Sequence, residues 1–197
     1  MKGMKGEVLR LLVVCPSWLG DTVMATPALA LLRRSLPGIY LGGLMRPGLD
    51  ELLAGSPFLD EVHVVRASGV MGPKHAAAKV RPRRYDAAVL LTNSFSTALT
   101  ARLAGIPRRI GYDRDLRGIL LTHKLRAPVR ADGSWAPVPA VEYYLRLVRE
   151  CVLGEEAGSR ASGVEFLELG VTPEQARAGA ELLGRAGIGE GEAFAVL

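Results

Sequence analysis

Asp21 is the side chain whose type and setting most directly suggest chemistry. It lies in Cys15-Pro16-Ser17-Trp18-Leu19-Gly20-Asp21-Thr22, where an apolar run gives way to a helical pattern. Residues 8–15 read as a buried strand, Pro16 ends it, and helical spacing opens at Asp21. A carboxylate is thereby set in a helix's first turn, on the rim where open α/β sheets bind ligands. Two roles fit. Asp21 can complement the helix dipole, worth a few tenths to about 1 kcal/mol. It can also act as a general base in a cleft, provided that a substrate strips enough of its water to offset the helix's preference for the charged form.

Asn93-Ser94-Phe95-Ser96 makes a second polar turn, directly after the apolar run 86–92. An amide and a hydroxyl on the same rim can hydrogen-bond a ligand, and Ser94 can cap the helix that follows. A dinucleotide fingerprint would need several glycines in the first turn, but Gly20 stands alone behind bulky Trp18 and Leu19. No Gly-Lys-Ser/Thr phosphate loop occurs. His63, His75 and His123 lack metal-ligand spacing, and Cys15 and Cys151 are too far apart to suggest a disulfide framework or a metal site. Asp113 and Asp115 flank Arg114 as a local charge pair.

Charge is unevenly distributed. Residues 1–65 balance, residues 66–130 carry fourteen Lys/Arg against three carboxylates, and residues 131–197 are net acidic. The middle block calls for an anionic partner: phosphate, carboxylate, lipid head group or nucleic acid. A plain solvated basic face is the alternative.

The elements positioning these residues follow from periodicity. Strands are predicted at 8–15, 39–45, 62–65, 86–92 and 108–112, with further short ones at 164–169 and 192–197. Helices are predicted at 21–36, 47–54, 75–80, from the 93–96 turn to 104, at 139–153 and at 173–186, the last capped by Thr172. Pro27 predicts a kink or a shifted start in the first helix. Tyr143 and Tyr144 read as core packing, and 113–134 receives no element. Alternating strands and helices imply an α/β fold with a doubly wound parallel sheet. At 197 residues with 49% hydrophobic and 23% charged residues, the chain is long enough for one sizeable globular domain. No signal peptide or spanning helix is apparent, and cysteine usage suits the cytoplasm. The apolar segment near Leu197 reads as the opening of a second domain, placing a first domain at 1–188 and the start of another at 189–197.

Pro16-Ser17-Trp18-Leu19-Gly20-Asp21-Thr22-Val23-Met24-Ala25-Thr26-Pro27 resembles the N-terminal signature of the ADP-heptose:lipopolysaccharide heptosyltransferases, glycosyltransferase family 9. Asn93-Ser94-Phe95, followed by Ala104-Gly105-Ile106-Pro107-Arg108-Arg109-Ile110-Gly111-Tyr112, is similar to the same family, its type II members in particular. The likeness runs over roughly 8–153. It implies the N-terminal, Rossmann-like domain of a GT-B glycosyltransferase and inverting transfer from ADP-heptose to the lipopolysaccharide inner core, with no cofactor or essential metal. The family's catalytic base falls on Asp21. Gly20 would let the backbone approach the sugars, and Ser17 would orient Asp21 or donate to the donor phosphate. Trp18 either walls the cleft or packs in the core. Asn93 and Ser94 would bind sugar.

An acceptor bearing Kdo carboxylates and phosphates would give the basic block a purpose, with Arg84, Arg109 and Arg114 as substrate-binding candidates beside Arg81, Arg83 and Lys124. The same surface can hold a cytoplasmic enzyme peripherally on the inner membrane. In the GT-B pattern the nucleotide site belongs to the second domain, so the chain is expected to be inactive alone. The competing readings are a family-9 enzyme with another core acceptor, a basic nucleic-acid-binding module and a non-catalytic scaffold. No nucleic-acid motif supports the module.

Overall fold

The computed structural model describes residues 10–156, 166–189, 191–193 and 195. Its strands are β1 (Arg10–Val14), β2 (Tyr40–Met45), β3 (Glu61–Val64), β4 (Ala87–Leu90), β5 (Arg108–Asp113) and β6 (His123–Arg126). Its helices are α1 (Leu19–Ser35), α2 (Leu49–Leu53), α3 (Gly72–Val80), α4 (Phe95–Leu103), α5 (Ala140–Leu147) and α6 (Pro173–Arg185). The strands form one parallel sheet in the order β3-β2-β1-β4-β5-β6. This is the doubly wound α/β architecture predicted above. Direction reverses between β1 and β4, and a crevice opens outside the carboxyl ends of those two strands.

Period-two alternation divides the core into two layers. Leu11, Val13 and Cys15 pack with α1, α2 and α5, whereas Leu12 and Val14 pack with α3 and α4. All four residues of β4 are buried, as a central parallel strand requires. The glycines of β2 have a steric cause. A Cβ on Gly42 would lie 1.8 Å from Tyr85 Oη, and one on Gly43 would lie 2.6 Å from Leu59 Cδ1.

α1 begins at Leu19, before Asp21, and runs through Pro27 as one helix. The ring removes the N–H that would bond the Val23 carbonyl, but Thr26 Oγ1 donates to that oxygen at 2.8 Å. β6 was not anticipated. Its sequence, His-Lys-Leu-Arg, buries only Leu125 of its four residues, so it carries the charged pattern of an edge strand without an apolar run. The helix predicted at 139–153 ends as α5 at Leu147 and continues as a π-helical turn, Val148–Leu153, closed by Gly154 at φ 74°.

Thr172 caps α6 as expected, in a reciprocal capping box with Gln175. Residues 166–169 form no strand, and 164–165 lie outside the described residues. Of the strand predicted at 192–197, Phe194, Val196 and Leu197 also lie outside them. Among the described residues no helix is long and apolar enough to cross a membrane.

Candidate active site

The β1–α1 turn and the β4–α4 turn meet at the sheet's switch point. Val14 pairs with Leu90, and Leu91 N–H donates to the Val14 carbonyl at 3.1 Å. Ser17, Trp18, Gly20 and Asp21 therefore stand on the same rim as Asn93 and Ser94. Local bonds shape the first turn: buried Thr22 donates through Oγ1 to the Trp18 carbonyl at 2.9 Å. Trp18 occupies the helix N-cap with extended backbone, but its side chain makes no capping bond. The first-turn amides of a seventeen-residue helix consequently remain available to an anion. Trp18 is 72% exposed, which excludes the core reading for it.

Gly20 has a negative φ, and a Cβ there would meet nothing within 4 Å. No contact inside the described chain demands glycine at this position. Ser94 instead has a local task, accepting the Thr97 N–H at 3.2 Å as the cap of α4. Ser17 and Ser94 line a cavity of about 310 Å³ together with Arg46, Ser96 and Thr97.

Asn93 borders a second cavity, of about 370 Å³, lined also by Arg114, Arg130, Trp135, Tyr143 and Tyr144. Three side chains organise its wall. Arg117, fully buried, donates through Nε to the Tyr112 carbonyl at 3.0 Å, through Nη1 to the Thr92 carbonyl, and through Nη2 to Asn93 Oδ1 at 3.2 Å. Burial lowers its guanidinium pKa to about 10. Tyr143 stacks on Tyr112 with ring centroids 3.7 Å apart and donates its hydroxyl to the same Asn93 oxygen at 3.2 Å. Tyr143 thus does more than pack. Arg114 lies over the Trp135 ring, 4.4 Å from its centroid, and its Nε is buried without a hydrogen-bond partner among the described residues.

Asp21 lines neither cavity, but its helix α1 packs against α5, which carries Tyr143 and Tyr144. Burial raises the Tyr144 phenol pKa, and the nearby charge of Asp21 adds to the shift. The Tyr143 phenol is also raised, chiefly by burial.

Two predicted substrate arginines do not reach this rim. Arg84 sits just before β4 with φ 49°, lining a cavity at the amino ends of the strands with Arg81, Asp86 and Gly105. Arg109 lies near the amino end of β5, donating to the carbonyls of Leu120 at 2.6 Å, Ile106 at 2.6 Å and Pro107 at 3.1 Å. Its fork ties loops together at the opposite rim. Arg83 is spent on a bidentate pair with Glu61, and Lys124 lies 4.0 Å from Asp113. Of the three arginines predicted to bind substrate, Arg114 alone borders the crevice. Arg117 and Tyr143 were missed as functional because one reads as part of a basic run and the other as a helix's apolar stripe. No local signal distinguishes them.

The model of glycosyltransferase family 9 (heptosyltransferase) matches residues 75–176, just over half of the chain. The chain belongs to glycosyltransferase family 9.

Lipopolysaccharide heptosyltransferase 2 of Escherichia coli K12 is 31% identical over 117 residues, a match covering 57% of this chain and 34% of that protein. The enzyme of the same name from Salmonella typhimurium LT2 is 29% identical over 143 residues, covering 71% of this chain and 40% of that protein. Among solved structures, a family 9 glycosyl transferase of Veillonella parvula superposes with a TM-score of 0.77 at 19% identity, over 93% of this chain and 51% of that one. E. coli ADP-heptose lps heptosyltransferase II superposes with a TM-score of 0.68 at 22% identity, over 92% and 51%. These superpositions establish the shared fold of a GT-B N-terminal domain. The chain spans about a third of the length of the curated relatives it matches.

Proposed function

We propose that this family 9 chain is the acceptor-side, base-supplying part of an inverting heptosyltransferase acting on the lipopolysaccharide inner core. The observation that carries the reading is Asp21 on the first turn of α1, at the switch-point crevice between β1 and β4, on the same rim as Asn93. In the proposed step an acceptor hydroxyl oxygen attacks the anomeric carbon of ADP-heptose. The bond from that carbon to the phosphate oxygen breaks, its electron pair leaving with ADP, and Asp21 takes the hydroxyl proton. The proposal assigns no step to a metal ion or cofactor.

Asn93 and Arg114 engage the sugar hydroxyls and carboxylates of the acceptor, and Trp18 walls the crevice. Gly20 leaves room for the sugar beside the helix, and Ser17 with the first-turn amides meets phosphate. The relatives extend far beyond the matched region. We place ADP-heptose mainly on a second domain there, opening with residues 189–197, after a first domain at 1–188. The enzyme works in the cytoplasm on a membrane-anchored acceptor. Which core hydroxyl receives the heptose distinguishes this reading from that of a family member with another acceptor.

The test is calorimetric titration of this chain with a soluble Kdo-containing core oligosaccharide and, separately, with ADP. Binding of the oligosaccharide with weak or no binding of ADP supports the assignment. Tight ADP binding without oligosaccharide binding overturns it. In a protein of the relatives' length, Asp21→Asn lowers transfer by about 10²–10⁴-fold while leaving oligosaccharide binding in place.

A further inference from the structure

The two helical layers differ in charge. Between Glu61 and Asp86 the sequence contains no carboxylate, whereas α2 in the other layer carries Asp50 and Glu51, and α5 carries Glu142. Asp86 itself accepts the Arg10 backbone N–H at 2.9 Å. α3 buries Ala76, Ala77 and Val80 against the sheet and turns Lys74 and Lys79 to solvent. Immediately before it, the loop from β3 raises Val70, 95% exposed, and Met71, 49% exposed, between Arg66 and Lys74.

This exposure is built into the backbone. Gly69 takes φ 64°, and Gly72 N–H donates back to the Gly69 carbonyl at 3.2 Å, closing a turn with Val70 at its outer bend. Gly72 packs so closely that a Cβ there would lie 2.9 Å from the Ala67 carbonyl carbon. The tip is thus held outward by a closed turn, while its neighbours Val65 and Ala67 border the cavity shared by Ser17 and Ser94.

We propose that this face, the Val70–Met71 tip with Arg66, Lys74 and Lys79, docks on an anionic lipid bilayer. Aliphatic side chains enter the head-group region while flanking cations are attracted to acidic lipid. The cations alone would also suit nucleic acid, but polyphosphate gives no reason to display two adjacent aliphatic side chains. The proposal rests on this surface and not on the transfer reading. It adds that a bilayer-anchored substrate would meet the crevice beside the loop.

The test is flotation of the whole chain with phosphatidylglycerol–phosphatidylcholine vesicles and with phosphatidylcholine vesicles alone. The expected result is binding to the acidic vesicles only, weakened by rising salt. The double change Lys74→Glu/Lys79→Glu lowers partitioning at least roughly tenfold, and Val70→Asp/Met71→Asp lowers it as well. All four positions are exposed, so thermal unfolding stays unchanged, and so does titration with the core oligosaccharide if the transfer reading holds. Equal binding to both vesicle types, or insensitivity to either double change, overturns the proposal. Salt-steep binding to duplex DNA that exceeds vesicle binding and ignores Val70→Asp/Met71→Asp also overturns it, in favour of a nucleic-acid surface.

Discussion

The buried guanidinium of Arg117 donates to Asn93 Oδ1 at 3.2 Å. A guanidinium has no acceptor, so this bond defines which end of the Asn93 amide is oxygen. Tyr143 donates to the same oxygen, leaving the amide NH₂ of Asn93 as the group available to a ligand in the adjoining cavity. A side chain with no access to solvent thereby orients one on the crevice wall.

Arg117→Met is expected to strand three acceptors, the carbonyls of Thr92 and Tyr112 and Asn93 Oδ1. The loss should be on the order of 2–4 kcal/mol in urea unfolding. Arg117→Lys restores part of the bonding and should lie between the two. A methionine variant as stable as the parent would remove the bracing role.

Gly20→Ala separates folding from binding. Nothing within 4 Å opposes a Cβ there, and alanine favours a helix by up to about 1 kcal/mol over glycine. Stability should hold or rise while affinity for the core oligosaccharide falls. Unchanged affinity would mean that no ligand approaches the backbone at this point.

The arginines divide by rim. Arg114→Ala should weaken oligosaccharide binding about tenfold or more, as loss of a charge-assisted bond does. Arg84→Ala, on the opposite rim, should leave it unchanged. Calorimetry on the two variants decides the matter, and the reverse ranking would relocate the anionic subsite.

Acid stability should depend on Glu61. Its bidentate bond from Arg83 is the largest influence lowering its pKa to about 2, and Tyr40 adds a second donor. Because the folded value lies below the ordinary 4.5, its contribution is complete at higher pH and is lost as pH falls from about 4.5 towards 2. Glu61→Gln should therefore be less stable than the parent near neutral pH, with the gap closing towards pH 2. A gap independent of pH in urea melts would show that the carboxylate's charge is not what stabilises the fold.

Much of the fold and part of the site were legible in the sequence because their causes are local. The apolar run before Pro16, the helical spacing after Asp21, the Ser94 cap and the Thr172–Gln175 capping box each follow from residues within a turn or two of one another. Strand–helix alternation then led to a parallel sheet, and the quoted motifs led to the family. Tertiary structure decided what the crevice-side and opposite-rim charges touch. The strands predicted at 86–92 and 108–112 already set Arg84 and Arg109 at amino ends and Arg114 beyond a carboxyl end, but only the folded chain ties Arg109 to three loop carbonyls and lays Arg114 over Trp135. Arg117 looks like its exposed neighbours in the sequence, yet the space beside Gly111, the nearby Tyr112 carbonyl and two distant acceptors at Thr92 and Asn93 draw it inside. Periodicity is a property of neighbours along the chain. The partners of buried Arg117 come from two other stretches, the turn at 92–93 and the end of β5 at Tyr112, and only folding brings them to one guanidinium.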